Sequence, residues 1–294
     1  MRHFILSSRL RLIVVVAVLL LAAAPVGIFA SRNLLPGAPE TVQIGQANGL
    51  GQAVSASAVV DGRSLTLTNI VSDAEQTAIS YAVVPSRGDG PFVTIAPRPR
   101  LALSDGTLVP FVSNNTDPAT SSAGGTLIFG PVPNKVATVR LEVDGLEFQN
   151  DSLAKQFSIT VNVDPRPGYE GSVRTPVDLR AGSGTTLVHV SEISQTPTSI
   201  TVRGTFEGLI GDDIAQLGPP HYTLRLADGS VVASESGRRG FGPNENDFEI
   251  RFPNHGSLAG STLIFDHGTW LPGSPASRTA RPSLEPVSLQ LQAP

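Results

Sequence analysis

Apolar and polar residues alternate with a period of two in one segment after another from Leu65 onward, and this alternation constrains the fold more than any other feature of the chain. In QFSITVNV the apolar side chains fall on one face and the polar side chains on the other, and the same holds for TVRLEV, SITVRGTF, YTLRL and FEIRF. A strand of an antiparallel sheet that covers a core with one face has this pattern. The sequence therefore predicts an all-β protein.

The alternating segments occur twice, at an offset of about 120 residues. LALSDGTLV begins at Leu101 and LRLADGSVV begins at Leu224, and the segments around these two phrases correspond in the same order. Each phrase has an Asp-Gly pair between apolar alternations, where a tight hairpin needs residues that tolerate positive φ. A period of this length indicates a duplicated domain. About seven short strands per copy predict two tandem immunoglobulin-like β-sandwiches.

The segment Leu12–Ala30 carries no charge and is long enough to cross a membrane as one helix. Arg2, Arg9 and Arg11 precede it, so the positive-inside rule places everything after it outside the cytoplasm. Two interpretations stay open, an uncleaved anchor, which the length favours, and a signal peptide cut after Ala30.

The predicted organisation follows from these features. In chain order it is a short cytoplasmic N-terminus (1–11), the transmembrane or signal segment (12–30), an irregular stalk (31–50), a first sandwich (51–164), a linker (165–184) and a second sandwich (185–294).

Charge and cysteine content exclude several classes of function. The net charge is -4 and no basic run occurs beyond the N-terminus, so the electrostatic footprint of nucleic-acid binding is missing. The chain has no cysteine, which excludes disulfides, thiolate catalysis and zinc–cysteine sites. No cofactor is predicted.

Three motifs that follow the N-terminal helix carry a resemblance to a known group of proteins. They are S-x-T-x-T-x-I-V-S-D at Ser64–Asp73, L-x-L-x-D-G at Leu101–Gly106 and V-x-L-E-V at Val139–Val143. The chain resembles the immunoglobulin-like ectodomains of uncharacterised bacterial single-pass membrane proteins related to anti-sigma factors. The resemblance implies an extracytoplasmic module. Sigma-factor regulators of that kind also carry a cytoplasmic helical domain, whereas the segment before Leu12 is short here.

Few residues have the spacing of a catalytic or metal site, and no catalytic or metal-binding residue is predicted. His255, His267 and Asp266 suggest a two-histidine, one-carboxylate site, but no H-x-H or H-E-x-x-H spacing occurs, and scattered surface histidines are the preferred interpretation. Glu245 and Asp247 are possible calcium ligands, but a solvated hairpin explains them as well.

The segment GRRGFGP is the most suggestive surface feature. Arg238 and Arg239 lie beside Phe241 among three glycines, a composition suited to contact with an anionic polymer or a lipid headgroup. A flexible hairpin tip is the alternative.

These observations predict a non-enzymatic protein of the bacterial envelope. The N-terminal helix would hold it in the membrane with its C-terminal domains outside the cytoplasm, or the protein would be secreted if that segment is cleaved. The predicted partners are the membrane and an envelope protein or polymer, and not nucleic acid. One alternative is an accessory component of envelope-stress signalling of the sigma and anti-sigma type. A secreted carbohydrate-active or metal-dependent enzyme is the less favoured one.

Overall fold

A computed structural model describes residues 38–96, 98–116, 124–183, 186–207, 221–239, 246–266 and 286–291. Strands dominate these residues, which confirms the predicted all-β class. The predicted membrane or signal segment, 12–30, lies outside the described residues. Within the residues that are described, no helix is both long and apolar enough to cross a membrane.

Two short helices and two groups of strands follow one another along the chain. The helices are α1 (Glu40–Ala47) and α2 (Arg166–Glu170). The first sandwich, residues 51–163, contains β1 (Gly51–Val60), β2 (Arg63–Ser72), β3 (Thr77–Val84), β4 (Phe92–Ala96), β5 (Arg100–Leu103), β6 (Leu108–Val109), β7 (Phe111–Thr116), β8 (Gly124–Phe129), β9 (Ala137–Val143), β10 (Gly145–Phe148), β11 (Ser152–Leu153) and β12 (Phe157–Val163). The second sandwich, residues 173–291, contains β13 (Val173–Ser183), β14 (Thr186–Gln195), β15 (Ser199–Glu207), β16 (His221–Arg225), β17 (Val231–Ala233), β18 (Ser236–Arg239), β19 (Asp247–Pro253), β20 (Thr262–Asp266) and β21 (Val287–Gln290).

The two sandwiches repeat one strand order. Their five-stranded sheets run β1-β2-β3-β8-β7 and β13-β14-β15-β19-β18, and their four-stranded sheets run β12-β9-β5-β6 and β21-β20-β16-β17. The paired strands are antiparallel. The first sandwich also contains a small sheet, β11-β10-β4. The order of strands therefore recurs at the offset seen in the sequence.

Each sandwich encloses its own hydrophobic core. The alternation in β12 becomes alternating burial, with its apolar residues inside and its polar residues exposed. Tyr81 and Phe129 are fully buried in the first core. In the second core the ring of Phe248 packs against Phe206 and Phe265, with centroids 4.6 and 5.3 Å apart. These ring contacts add to the burial that stabilises each core.

The hairpins predicted at the two Asp-Gly pairs are present and share one geometry. Gly106 and Gly229 have φ of 86° and 87°, a backbone region where glycine is unstrained. In each turn the aspartate, Asp105 or Asp228, accepts a hydrogen bond from the backbone N–H two residues later, at 2.9 Å. The local turn chemistry is therefore the same in both copies.

Two segments that were predicted to be irregular contain regular structure. The predicted stalk, 31–50, includes α1, and most of the predicted linker, 165–184, is α2 and β13. A helix of two turns is too short for its periodicity to be recognised, and such helices depend on tertiary packing. In β13 a register shift between Pro176 and Leu179 interrupts the alternation. The five-stranded sheet of the second sandwich therefore extends into the segment predicted as linker, because β13 pairs with β14.

Candidate functional site at the junction between the sandwiches

The turn between β2 and β3 buries two carboxylates against the second sandwich. Asp73 is completely buried and Glu75 is 4% exposed. The Oδ1 atom of Asp73 accepts hydrogen bonds from the backbone N–H groups of Glu75 and Gln76, at 2.9 and 3.0 Å. An aspartate that bonds to the backbone two and three residues later stabilises a tight turn without glycine or proline.

The other oxygen of Asp73 joins this turn to the equivalent turn of the second sandwich. Its Oδ2 atom accepts hydrogen bonds from the hydroxyls of Thr196 and Thr198, the first at 2.7 Å. Both threonines are completely buried in the turn between β14 and β15. Four donors thus surround one carboxylate, which offsets the cost of removing it from water.

Glu75 makes an ion pair with Arg203 on β15. The Arg203 Nη2 atom contacts Glu75 Oε2, and Arg174 Nη2 donates to Glu75 Oε1 at 3.1 Å. Burial by itself would raise the pKa of Glu75, but the hydrogen bond and the charge of Arg203, with smaller contributions from Ser194 and Arg174, hold that pKa below its usual range. The Glu75 carboxylate is therefore ionised at neutral pH.

Further charges complete a cluster that is balanced in sign. Arg203 also bonds to Glu192 at 2.6 Å and to Glu249 at 2.9 Å. Burial opposes the charge of Arg203, but the three carboxylates around it raise its pKa above the ordinary arginine value. Arg251 donates to the side-chain oxygen of Gln76 at 2.8 Å. We call this set the junction cluster, with three carboxylates and three guanidinium groups: Glu75, Glu192, Glu249, Arg174, Arg203 and Arg251.

Helix α1 spans the same junction. The backbone N–H and the hydroxyl of Thr41 donate to the carboxylate of Glu235, at 2.9 and 2.7 Å. A Cβ added to Gly45 would lie 2.4 Å from a methyl of Val71 in the first sandwich and 3.0 Å from a methyl of Thr198 in the second. The helix is therefore packed closely against both sandwiches.

The polar contacts at the junction hold the two sandwiches together. The buried carboxylates of Asp73 and Glu75 are already held by hydroxyl, N–H and guanidinium donors. A cavity next to Gln76 and Arg251 has a volume of about 30 Å³, which is room for about one water molecule. This geometry fixes two sandwiches relative to each other and leaves no space for a substrate at that cavity.

A second feature is an open cleft of about 560 Å³ between the start of α1 and the β16–β17 hairpin. Among the described residues, its ionisable lining consists of Glu40, Asp228, Glu235 and His255, which makes this lining acidic. The whole of β17 also lines it. Its size is within the range of ligand sites in proteins.

Of the three residues predicted to form a surface contact, two lie on a described strand. Arg238 and Arg239 end β18, an edge strand whose backbone pairs with β19. Nothing is described of their side chains, and Phe241 lies outside the described residues. A contact between this segment and an anionic polymer or a lipid headgroup stays a prediction.

The residues considered as metal ligands are partly described. His255 Nε2 lies 3.2 Å from Glu40 Oε1, which gives this histidine a partner on α1. His267 and Glu245 lie outside the described residues. In the described ranges, no three histidine, aspartate or glutamate side chains form a group that could hold a metal ion.

Ser152 and Lys155 have the S-x-x-K spacing of some serine nucleophiles. Ser152 is exposed on β11, and the Lys155 amine pairs with Asp61 at 2.6 Å. The side chains of Lys155 and Asp61 are both about half exposed. The spacing places the two residues on one face of a helix, and here Ser152 lies on a strand.

Sequence reasoning missed the junction cluster because it assigned the polar face of β15 to solvent. Thr201, on that face, is completely buried. One signal was present in the sequence. By strand register, Arg203 and Glu249 occupy the places that Ser80 and Thr126 occupy in the first sandwich. Charged pairs in only one of two copies indicate that the outer faces of the two sheets have different surroundings.

Comparison with known proteins gives a fold and no family. No family model matches the chain, and no curated protein matches it. The chain is similar to the crystal structure of a conserved domain protein from Bacillus anthracis, with a TM-score of 0.56 and 12% sequence identity. The match covers 74% of this chain and 78% of that chain. At this identity the likeness concerns the fold alone.

Proposed function

We propose that this protein is a non-enzymatic component of the bacterial envelope that binds a protein or polymer partner. Two immunoglobulin-like sandwiches would be held outside the cytoplasm by the N-terminal segment 12–30. The observation that carries the proposal is the junction cluster, in which Glu75 of the first sandwich is buried among Arg174 and Arg203 of the second.

The junction cluster supports a binding role because it makes one arrangement of the sandwiches preferable. Domains joined by a polar interface in one chain usually move relative to each other. Here a displaced junction would leave Asp73 and Glu75 buried without partners or return them to water, and either change costs free energy. A surface that spans both sandwiches is therefore preorganised, which lowers the entropic cost of binding.

Crosslinking in living cells tests this function. The C-terminally tagged chain is crosslinked and purified, and mass spectrometry identifies the captured material and the mature N-terminus. We expect an envelope protein or wall polymer with the native chain, and less of it with Arg203→Ala. Lys155→Ala is the control, because it removes only an exposed ion pair. Turnover of glycosidic, ester or peptide substrates by the purified chain would contradict the proposal.

The position of α1 favours a second candidate, an accessory role in envelope-stress signalling. This helix follows the N-terminal apolar segment and contacts both sandwiches through Gly45 and Thr41. A shift of α1 would therefore change the packing at the junction. Deletion of the gene should change the transcriptional response to envelope stress, and restoration by the native chain but not by Gly45→Ala would support this role. An unchanged response in the deletion strain would refute it.

A further inference from the structure

The edge strands of the two four-stranded sheets, β6 and β17, differ in their capacity to accept another strand. By register, Val109 pairs with Leu101 and Val232 pairs with Leu224, so the two edges are equivalent residue by residue. Each is the outermost strand of its sheet, and in the described part of the chain no strand pairs with its outer side.

Within the described residues, no backbone hydrogen bond is made by the outer side of β17. The backbone N–H of Leu226, which follows β16, donates to the carbonyl of Ser230. The backbone N–H of Ser234, which follows β17, donates to the carbonyl of Tyr222 on β16. Since bonding direction alternates along an antiparallel strand, Val231 and Ala233, which are two residues apart, direct their N–H and C=O groups away from β16. These two residues offer two donors and two acceptors to an incoming strand.

The equivalent edge of the first sandwich lacks one of these donors. The residue equivalent to Ala233 is Pro110, which has no backbone N–H. Proline on an edge strand is a common protection against pairing with another chain. The duplicated domain therefore has one edge blocked by proline and one edge open.

The side chains around β17 favour an incoming strand with positive charge. The cleft lined by β17 is also lined by Glu40, Asp228 and Glu235, and among the described residues its lining includes no lysine or arginine. Pairing of two copies of the chain through β17 would bring two acidic clefts together, and like charges disfavour that contact. A cationic strand would be attracted instead.

We propose that β17 binds an extended peptide segment of a partner protein, which adds to the sheet as a further strand and carries basic residues at alternate positions. Val231, Ala233 and Glu235 are exposed residues at alternate positions of the chain. The basic side chains of the incoming strand therefore belong opposite Val231 and Ala233. The intervening positions are apolar. This inference rests on the proposed binding function and names the edge and the chemistry that serve it.

A synthetic peptide tests the edge directly. The probe is a fluorescein-labelled Gly-Arg-Val-Arg-Val-Arg-Gly, titrated with the full-length chain in detergent micelles while fluorescence anisotropy is measured. N-methylation of the arginines removes the N–H groups that face β17 and should abolish binding. N-methylation of the valines alters N–H groups that face away and should leave binding within about twofold, because no hydrogen bond to β17 is lost. Equal binding of both methylated peptides would show that the peptide is held by electrostatic attraction without strand pairing, and this would overturn the proposal.

Protein variants separate backbone pairing from charge. Ala233→Pro should weaken binding roughly tenfold, since it removes one donor and obstructs the incoming strand. The first sandwich tolerates proline at the equivalent position, so folding should be retained, and circular dichroism checks this. Pro110→Ala is the matched variant that opens the other edge, which does not line the acidic cleft, and it should not restore binding to Ala233→Pro. Glu40→Gln should weaken binding about threefold at low salt and less at high salt.

Three outcomes would overturn the edge site: no binding of the unmodified peptide, unchanged binding by Ala233→Pro, or self-association of the native chain that Ala233→Pro abolishes. The last would mean that a second copy occupies the edge. If the chain still captures an envelope partner in cells, only the edge assignment fails. Loss of both peptide binding and partner capture would also refute the proposed function.

Discussion

Asp73 and Glu75 are both buried carboxylates two residues apart, and each is held by a different set of donors. Hydroxyl and backbone N–H donors hold Asp73, whereas Arg203 and Arg174 hold Glu75. A buried ion pair adds little net stability compared with an apolar pair, but the loss of one partner is expensive because the other charge stays out of water. Single substitutions at this turn should therefore have large effects.

Glu75→Ala should lower the free energy of unfolding by about 3 kcal/mol, the low end for a broken buried ion pair, because Arg203 keeps Glu192 and Glu249. Urea denaturation of the full-length chain in detergent micelles measures the change. Lys155→Ala, at an exposed ion pair, should change the free energy by less than about 1 kcal/mol. Equal effects of the two variants would contradict a buried junction.

The same residue predicts a dependence of stability on acid. The folded-state pKa of Glu75 lies below the ordinary value of 4.5, so its contribution is fully present above pH 4.5 and is lost as the pH falls through the folded-state pKa. Melting temperatures measured from pH 7 down to pH 3 should therefore fall less steeply for Glu75→Gln than for the native chain. Asp89 and Asp164, whose pKa values are also lowered by arginine partners, leave part of the acid dependence in the variant. Parallel curves would show that Glu75 is not the titrating group.

At the scale of elements, α1 is determined by its neighbours more than by its own sequence. Its hydrophobic residues are few, and its buried side is formed by Thr41, Val42 and Gly45. Glycine in the middle of a helix is normally unfavourable relative to alanine. Here its lack of a side chain lets the helix approach Val71 and Thr198.

Gly45→Ala should destabilise the protein by about 1–2 kcal/mol, although the same change in an exposed helix would stabilise it by about 1 kcal/mol. The added methyl would overlap the branched side chain of Val71, which has little freedom to move in a packed interior. The urea midpoint measures the effect. Gln43→Ala, on the exposed side of the same helix, is the control; it removes one hydrogen bond to the Ala38 carbonyl, and its change should be below about 1 kcal/mol. A stabilised Gly45→Ala would mean that α1 does not pack at the junction.

At the scale of the whole molecule, two hydrophobic cores are joined by a polar interface. The cores are separate clusters of buried side chains, each large enough to resemble the core of an independent domain. Both belong to one compact unit of the chain. The junction cluster and α1 connect them, so their stabilities should be coupled.

Calorimetry should therefore detect one cooperative unfolding transition for the native chain, with equal calorimetric and van't Hoff enthalpies. Arg203→Ala removes the central cation of the junction cluster and should separate the transition into two. The Lys155→Ala control should keep a single transition. Two transitions in the native chain would show that the sandwiches are energetically independent.

The sequence by itself determined those features that depend on neighbours along the chain. Alternation in β9, β12 and β19 predicted which side chains enter a core, and the Asp-Gly pairs predicted two hairpins that have the same φ at Gly106 and Gly229. Strand periodicity and turn chemistry are local properties, since each follows from residues close together in the sequence. The recurrence of both at one offset indicated the repeated strand order.

Only the tertiary structure decided which polar surfaces meet water and which meet each other. A polar residue on a strand, such as Thr201 or Arg203, has the same pattern whether its face is wet or covered by another sandwich. The partner of Arg203, Glu75, is more than a hundred residues away, and no local rule connects them. The helix α1 and the strand β13 depend on the same distant contacts. Long-range pairing of charges is specified by the assembled fold, because a buried charge finds its partner only when the cores have placed both in one position.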